Sequence, residues 1–314
     1  MASMDQVTAL VAAHVERDHD RFRAVTLQIA AGMKSPQSAL YLRRLIERQQ
    51  AVAFTPLPSA NGLLSMPSNL STLDDMVLAP AIRARLDRVV LEQSRRLDLL
   101  AAGLRPARKI LFSGPSGVGK TMAAGAIAQA VKMPVFRVEL HSVISSYMGE
   151  TASKLSKVFD HVRTMPGVYL FDEFDALGSN RSGSGTDGAS AEARRTLNSL
   201  LQFIDDDRSD GLLIAATNLP EMLDPAVYRR FDETIAFKAP SLAEVSTLID
   251  RALPERRALD LGAIYAAVGN PNLGHADLCA ALDRVRKDHL LTGALIGTTQ
   301  IVDAIARRTR VVSA

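Results

Sequence analysis

Short apolar runs that end in polar residues dominate the middle of the chain. They occupy residues 108–113, 168–173 and 211–218. Continuous apolar runs of this length are typical of strands buried on both faces, as in a parallel sheet. Helix-forming sequence follows the first run at residues 122–131, so strand and helix patterns alternate. The pattern therefore predicts an α/β fold with a parallel sheet core.

The pattern is helical on both sides of this middle part. Near the start, apolar spacing predicts helices over residues 5–31 and 37–50, and after Pro240 it predicts four more, near 241–253, 260–268, 275–291 and 298–308. The predicted regions are an N-terminal helical region (1–50), a linker rich in Pro, Gly, Ser and Asn (51–72), an α/β core (73–240) and a C-terminal helical region (241–314).

A glycine-rich loop follows the first predicted strand and is the most informative motif. Residues 114–121 have the Gly-x-x-x-x-Gly-Lys-Thr pattern, in which backbone N–H groups surround a phosphate chain. The lysine supplies charge to the terminal phosphates, the threonine hydroxyl is a ligand for Mg²⁺, and the following helix N-terminus also attracts anions. The predicted nucleotide-binding residues are Gly114, Pro115, Ser116, Gly117, Val118, Gly119, Lys120, Thr121 and Met122.

Two adjacent carboxylates end the second predicted strand. Asp172 is placed to hold Mg²⁺ through its water shell, together with Thr121, and Glu173 to polarise the attacking water. Two acids behind a phosphate loop favour hydrolysis over transfer, because an acceptor would need its own recognition site. A solvated acidic turn after a core strand is the alternative. The residues thus predict a P-loop NTPase that hydrolyses its nucleotide with Mg²⁺ as a cofactor.

An ordered set of motifs resembles an AAA ATPase of the ring-forming, protein-remodelling type. It comprises residues 172–177 (Asp-Glu-Phe-Asp-Ala-Leu), 215–218 (Ala-Ala-Thr-Asn) and 223–232 (Leu-Asp-Pro-Ala-Val-Tyr-Arg-Arg-Phe-Asp), and the resemblance runs from about Leu73 to about Arg286. It implies a core ATPase domain, a small helical lid over 241–314, and nucleotide sites shared between subunits of a homo-oligomeric ring, a hexamer when ATP is bound.

The resemblance also implies roles for further residues. Asn218 matches the first sensor of the terminal phosphate, and Arg229 and Arg230 match the arginine fingers that reach a neighbouring subunit's site. Tyr147, Met148 and Gly149 match the loop that lines the central pore, which makes polypeptide the expected substrate class. An exposed aromatic pair can equally be a core anchor or a partner contact, and the Gly/Ser-rich residues 178–188 match either a second pore loop or a plain linker.

The predicted C-terminal helices show one departure from the family. Residues 274–277, Gly-His-Ala-Asp, stand where the family has Ser-Gly-Ala-Asp beside the adenine, so His275 puts the shape of that pocket in doubt. Cys279, the single cysteine, is expected to be buried in the same helix.

Composition bears on the cellular location of the protein and on the class of its partners. The chain has 314 residues, 47% of them hydrophobic, and a formal charge of +3, which is weak support for nucleic-acid binding. With no membrane-length apolar run we expect a cytoplasmic protein. Two other functions stay open beside remodelling: an ATP-gated switch that controls a partner enzyme, such as a protease in a toxin–antitoxin or defence pair, and, less favoured, a nucleic-acid motor.

Overall fold

The chain divides into two compact units, residues Met1–Leu57 and Pro58–Ala314. The computed structural model describes residues 4–15, 22, 25–26, 28–29, 60, 62–67, 70–144, 150–177, 187–254, 259–269, 273–293 and 295–312. In the first unit, helix α1 spans Met4–Val15, where the sequence predicts a helix. The second N-terminal helix predicted, over residues 37–50, lies outside the described residues.

The second unit is built on a mostly parallel sheet. Its strands are β1 (Leu64–Ser65), β2 (Lys109–Ser113), β3 (Val135–Val138), β4 (Val168–Phe171), β5 (Leu212–Thr217) and β6 (Glu233–Ala236). Their spatial order is β1-β3-β4-β5-β2-β6, with β1 antiparallel to β3 and the other pairs parallel. The carboxyl ends of β2, β4 and β5 therefore meet at one edge of the sheet, and the α/β prediction with a parallel core is confirmed.

Helices cover the sheet and continue beyond it. They are α2 (Pro80–Ser94), α3 (Arg96–Ala101), α4 (Lys120–Ala130), α5 (Leu140–Val143), α6 (Glu150–Thr164), α7 (Asp187–Asp206), α8 (Pro225–Tyr228), α9 (Leu242–Ala252), α10 (Leu261–Val268), α11 (His275–Thr292) and α12 (Thr298–Val312). Short 3₁₀ turns occupy Phe174–Leu177 and Pro220–Met222. None of the helices in the described part of the chain is both long and apolar enough to span a membrane.

Alternation along the buried strands sends side chains into two cores. Tyr169 and Phe171 of β4 pack on one face with residues of α6 and α7, whereas Val168 and Leu170 pack on the other face with α2 and α4. A third apolar cluster joins α9, α10, α11 and α12, which we call the C-terminal bundle. Because the strands are covered on both faces, they have the continuous apolar sequences from which they were predicted.

Part of the expected linker over 51–72 is built into the sheet, which corrects that expectation. Leu64 and Ser65 pair with Val138 and Arg137 as the edge strand β1, and Leu63 and Leu64 are buried. Two residues are too short for a readable alternation, and the strand forms through pairing with a segment more than 70 residues away.

Cys279 also differs from its expected placement, because it is exposed. It lies on α11 directly after Leu278, which, together with Leu282 one turn later, faces the apolar cluster. A residue next to a core position is rotated about 100° around the helix axis, which carries Cys279 away from the core.

Candidate functional site

The glycine-rich loop joins the end of β2 to the start of α4. Gly114, Gly117 and Gly119 have φ values of +137°, +73° and +96°, a region that side-chain-bearing residues rarely adopt. A Cβ on Gly114 would also overlap the backbone carbonyl of Phe237. The sequence therefore needs glycine at these positions to form a concave loop at the N-terminus of α4.

Lys120 is the cation at the centre of this loop. Its side chain is almost fully buried, and its Nζ donates to the carbonyl oxygens of Gly114 and Pro115, both at 2.7 Å, and to Asn218 Oδ1 at 2.8 Å. Burial lowers the pKa of Lys120, while the nearby carboxylates of Asp172 and Asp175 offset part of that effect. A buried ammonium whose hydrogen bonds among the described residues all go to neutral oxygens fits a phosphate chain, because charged phosphate oxygens are stronger acceptors.

Thr121 and Asp172 come together although 51 residues separate them. Thr121 Oγ1 donates to Asp172 Oδ2 at 2.8 Å, because α4 begins beside the carboxyl end of β4. A hydroxyl and a carboxylate next to a phosphate site are ligands that Mg²⁺ accepts, directly and through water. The predicted pair of magnesium residues is thus assembled.

Glu173 follows Asp172 in a strained backbone conformation. Its φ is +54°, and its N–H donates to Asp172 Oδ1 at 3.0 Å. Left-handed backbone in a non-glycine residue costs about 1–2 kcal/mol. The turn that results leaves the Glu173 side chain exposed at the same edge of the sheet as Lys120.

Asn218 lies at the end of β5 and is held from two sides. Its side-chain oxygen accepts from Lys120, and its backbone N–H donates to Asp175 Oδ1 at 2.9 Å. Asp175 belongs to the motif at residues 172–177, but the sequence pattern alone does not indicate this contact. Its position in the 3₁₀ turn after Glu173 shows that it fixes the residue predicted to sense the terminal phosphate.

The two candidate fingers, Arg229 and Arg230, differ in their surroundings. Arg230 Nε contacts Asp205 Oδ2 at 2.8 Å and its Nη1 donates to the Ala226 carbonyl at 2.9 Å. The side chain of Arg229 is exposed and makes no hydrogen bond or ion pair with any residue that the structure describes. Of these two arginines, only Arg229 therefore has a guanidinium group with no partner among the described residues.

The N-terminus of α11 docks on the phosphate loop, which the sequence analysis does not foresee. Ala276 N–H donates to the Gly117 carbonyl at 2.9 Å. A Cβ on Gly274 would lie 2.6 Å from the Ser116 carbonyl oxygen and from the Gly117 carbonyl carbon. The signal in the sequence is Gly274 itself, since only glycine permits so close an approach of two backbones.

His275, the departure from the family pattern, points into the C-terminal bundle. Its Nε2 lies 3.4 Å from Glu244 Oε1, and Glu244 also caps α9 through Ser241. Burial lowers the pKa of His275, against a smaller raising effect of Glu244. The ring therefore ties the start of α11 to the start of α9.

The predicted pore-loop residues Tyr147, Met148 and Gly149 lie outside the described residues, as do residues 178–186 of the second candidate loop. Met122, predicted to bind nucleotide, lies in the first turn of α4 and is partly exposed. In the described ranges, no group of three or more His, Cys, Asp or Glu is placed to hold a metal ion. A magnesium site of this kind depends on phosphate oxygens and water for its other ligands.

Comparison with known proteins agrees with this geometry. Residues 110–239 match the family model described as "ATPase family associated with various cellular activities (AAA)". The chain carries an AAA ATPase domain. The matched segment runs from β2 to just after β6, so this AAA domain includes the phosphate loop, both carboxylates, Asn218 and the arginine pair.

Relatives of this AAA domain protein come from several bacteria. The chain is 44% identical over 176 residues to "Uncharacterized AAA family ATPase y4kL" of Sinorhizobium fredii, covering 56% of this chain and 52% of that one. It is 32% identical over 262 residues to "ATP-dependent zinc metalloprotease FtsH 4" of Sphaerobacter thermophilus, covering 79% and 39%. The chain thus spans about half, or less, of these relatives' lengths.

Proposed function

We propose that this chain hydrolyses ATP with Mg²⁺ at the carboxyl edge of its sheet. The observation that carries the proposal is the convergence of Lys120 on Asn218 and of Thr121 on Asp172. These contacts bring residues that follow three separate strands, β2, β4 and β5, together at the glycine-rich loop. Mg²⁺, when bound, would neutralise phosphate charge and would be held by Thr121 and, through water, by Asp172.

Each residue of the site has a separate role in hydrolysis. Lys120 exchanges its carbonyl partners for phosphate oxygens, which satisfies a buried cation far better than neutral acceptors do. Glu173 orients the attacking water and accepts its proton, and Asn218 holds that water near the terminal phosphate. Asp175 keeps Asn218 in place through the backbone contact described above.

Two substitutions test these roles. Glu173→Gln keeps the phosphate loop and should bind ATP with normal affinity while turnover falls at least about a hundredfold, the scale of a lost general base. Lys120→Ala should lose binding as well. ATP binding by calorimetry and phosphate release measured side by side give both results, and near-normal turnover by Glu173→Gln would contradict the assignment.

We propose further that the active sites are shared between subunits of a ring. Support comes from Arg229, exposed and unpaired among the described residues, on a turn between β5 and β6 rather than in its own phosphate site. Arg230, held by Asp205, would set the direction of that turn and join as the second finger when subunits meet.

The substrate we favour is a polypeptide, drawn through the ring by Tyr147 and Met148. The name of the FtsH relatives, ATP-dependent metalloproteases, joins ATP use to action on proteins and supports this class. An ATP-gated switch is the second candidate, favoured by the separate compact unit at Met1–Leu57, which could receive a partner enzyme.

Two variants separate these candidates. In the threading model, Tyr147→Ala keeps basal hydrolysis and loses work on a protein substrate, whereas deletion of residues 1–50 has a smaller effect. In the switch model, Tyr147→Ala is silent and the deletion abolishes partner control. Protein-dependent stimulation of ATP turnover, measured for both variants, gives opposite results in the two models.

A further inference from the structure

Arg137 is a cation at the site that the roles above do not use. It lies on β3, paired with Leu170 of β4, and its Nη2 is 3.6 Å from Asp172 Oδ2. The Arg137 side chain is 41% exposed and the Asp172 side chain 14% exposed. Asp172 is its ion-pair partner within the described residues.

Both oxygens of the Asp172 carboxylate already have partners in this arrangement. Oδ2 accepts a hydrogen bond from Thr121 Oγ1 and forms the ion pair with Arg137. Oδ1 accepts a hydrogen bond from the backbone N–H of Glu173. Magnesium bound at Thr121 would add a second, divalent cation close to Oδ2. Two cations next to one oxygen repel each other, so Arg137 and the ion oppose each other's binding.

An ion pair as exposed as this one contributes little to stability in water, so holding the fold together is a weak reason for it. Glu139, the acid that directly follows β3, accepts a hydrogen bond from the Ser65 hydroxyl and lies near His141. Because 41% of its side chain is exposed, Arg137 can leave Asp172 and move into solvent.

We propose that Arg137 is a built-in counter-ion of Asp172 that competes with Mg²⁺ and raises the magnesium concentration needed to load the site. It holds the carboxylate in place in the metal-free state and releases it when the metal enters with the nucleotide. This inference rests on the proposed function, since it assigns Asp172 to magnesium.

The test measures ADP binding by the full chain, with calorimetry, in EDTA and across a range of Mg²⁺ concentrations. Arg137→Ala should lower the Mg²⁺ concentration at half-effect by about three- to tenfold, as expected for one unit charge several ångströms from a divalent ion. Its ADP affinity in EDTA should equal that of the wild type.

Controls separate charge from packing. Arg137→Gln keeps most of the stem and should behave like Arg137→Ala, whereas Arg137→Lys keeps the charge and should stay near the wild type. Arg163→Ala removes a comparably exposed arginine, paired with Asp160 on α6, and should change nothing. Far-UV circular dichroism of each variant confirms folding.

Two results would overturn the inference. An unchanged or higher Mg²⁺ requirement in both Arg137→Ala and Arg137→Gln means that Arg137 does not compete with the ion. Weaker ADP binding of these variants in EDTA means that Arg137 holds the nucleotide itself. Failure of the wild type to bind ADP under any condition would instead refute the proposed function.

Discussion

At the scale of single residues, glycines determine the shape of the phosphate loop, through positive φ values within it and through a close backbone contact at Gly274. Gly114, Gly117 and Gly119 belong to a fixed pattern, and their positive φ values follow from the phosphate-binding shape that the pattern encodes. Gly274 carries no such pattern. Its need for glycine arises from contact with a loop about 157 residues earlier in the chain, which no local reading can find.

Gly274→Ala is expected to disturb the phosphate loop from a distance. The added Cβ meets the backbone of Ser116 and Gly117, which cannot move away as a side chain could, so the variant should lose about 1–3 kcal/mol of stability. Its ATP affinity should fall as well, because the loop carries the binding groups.

A matched control for this substitution is Gly297→Ala, where the nearest atom belongs to the flexible side chain of Gln300. Urea unfolding and ATP calorimetry of both variants are the measurements. If the two variants have equal stability and equal ATP affinity, the close approach of α11 to the loop contributes to neither.

At the scale of elements, the spacing of apolar residues predicts helices and strands correctly where they are long and packed against the core. The four C-terminal helices predicted near 241–253, 260–268, 275–291 and 298–308 are observed at Leu242–Ala252, Leu261–Val268, His275–Thr292 and Thr298–Val312. Strand β1 is not predicted because a strand of two residues is too short to show an alternation of polar and apolar residues. The candidate site shows the same difference. Its motif residues are predicted from the sequence, whereas the roles of Asp175 and Arg137 and the contact of α11 with the loop arise from tertiary contacts that no local pattern indicates.

Packing of α6 on the sheet gives a prediction about pH. His161 of α6 is fully buried, its Nδ1 lies 2.6 Å from the Tyr169 hydroxyl, and burial lowers its pKa. The folded state therefore favours the neutral ring. Its contribution to stability is complete above the unfolded pKa of about 6.5 and is lost as the pH falls below it.

Replacing His161 by Phe removes the proton-binding group while keeping a ring in the core. The free energy of unfolding of His161→Phe should fall less between pH 6.5 and 5 than that of the wild type, by up to about 1.4 kcal/mol per pH unit. His141→Gln, at an exposed histidine, should follow the wild type. Parallel pH curves for all three proteins in urea titrations would refute the role of His161.

At the scale of the whole molecule, the proposed sharing of the site separates the phosphate-binding residues from the arginine pair. Lys120, Thr121, Asp172, Glu173 and Asn218 meet within one chain, whereas the exposed side chain of Arg229 has no partner among the described residues. Sequence resemblance predicts this division, because the arginine pair occupies the family's finger position. The structure adds the difference between a free Arg229 and an anchored Arg230.

Loss of a finger should stop hydrolysis without emptying the site. Arg229→Ala removes the guanidinium offered to the neighbour, so turnover should fall by about 10³-fold or more while each subunit still binds ATP. Arg88→Ala, an exposed arginine on α2 paired with Glu92, is the matched control and should keep wild-type turnover. Loss of ATP binding by Arg229→Ala would place this residue in its own subunit's site.

The most direct test of a shared ATPase site is turnover by a mixture of Arg229→Ala and Glu173→Gln subunits. Arg229→Ala keeps an intact Glu173, and Glu173→Gln keeps an intact Arg229, so a mixed ring contains complete sites at some interfaces. We predict that each variant alone is inactive, and that mixing restores a fraction of wild-type ATP turnover that rises with protein concentration. A mixture no more active than its two components, with wild-type turnover per subunit unchanged on dilution, would contradict the account.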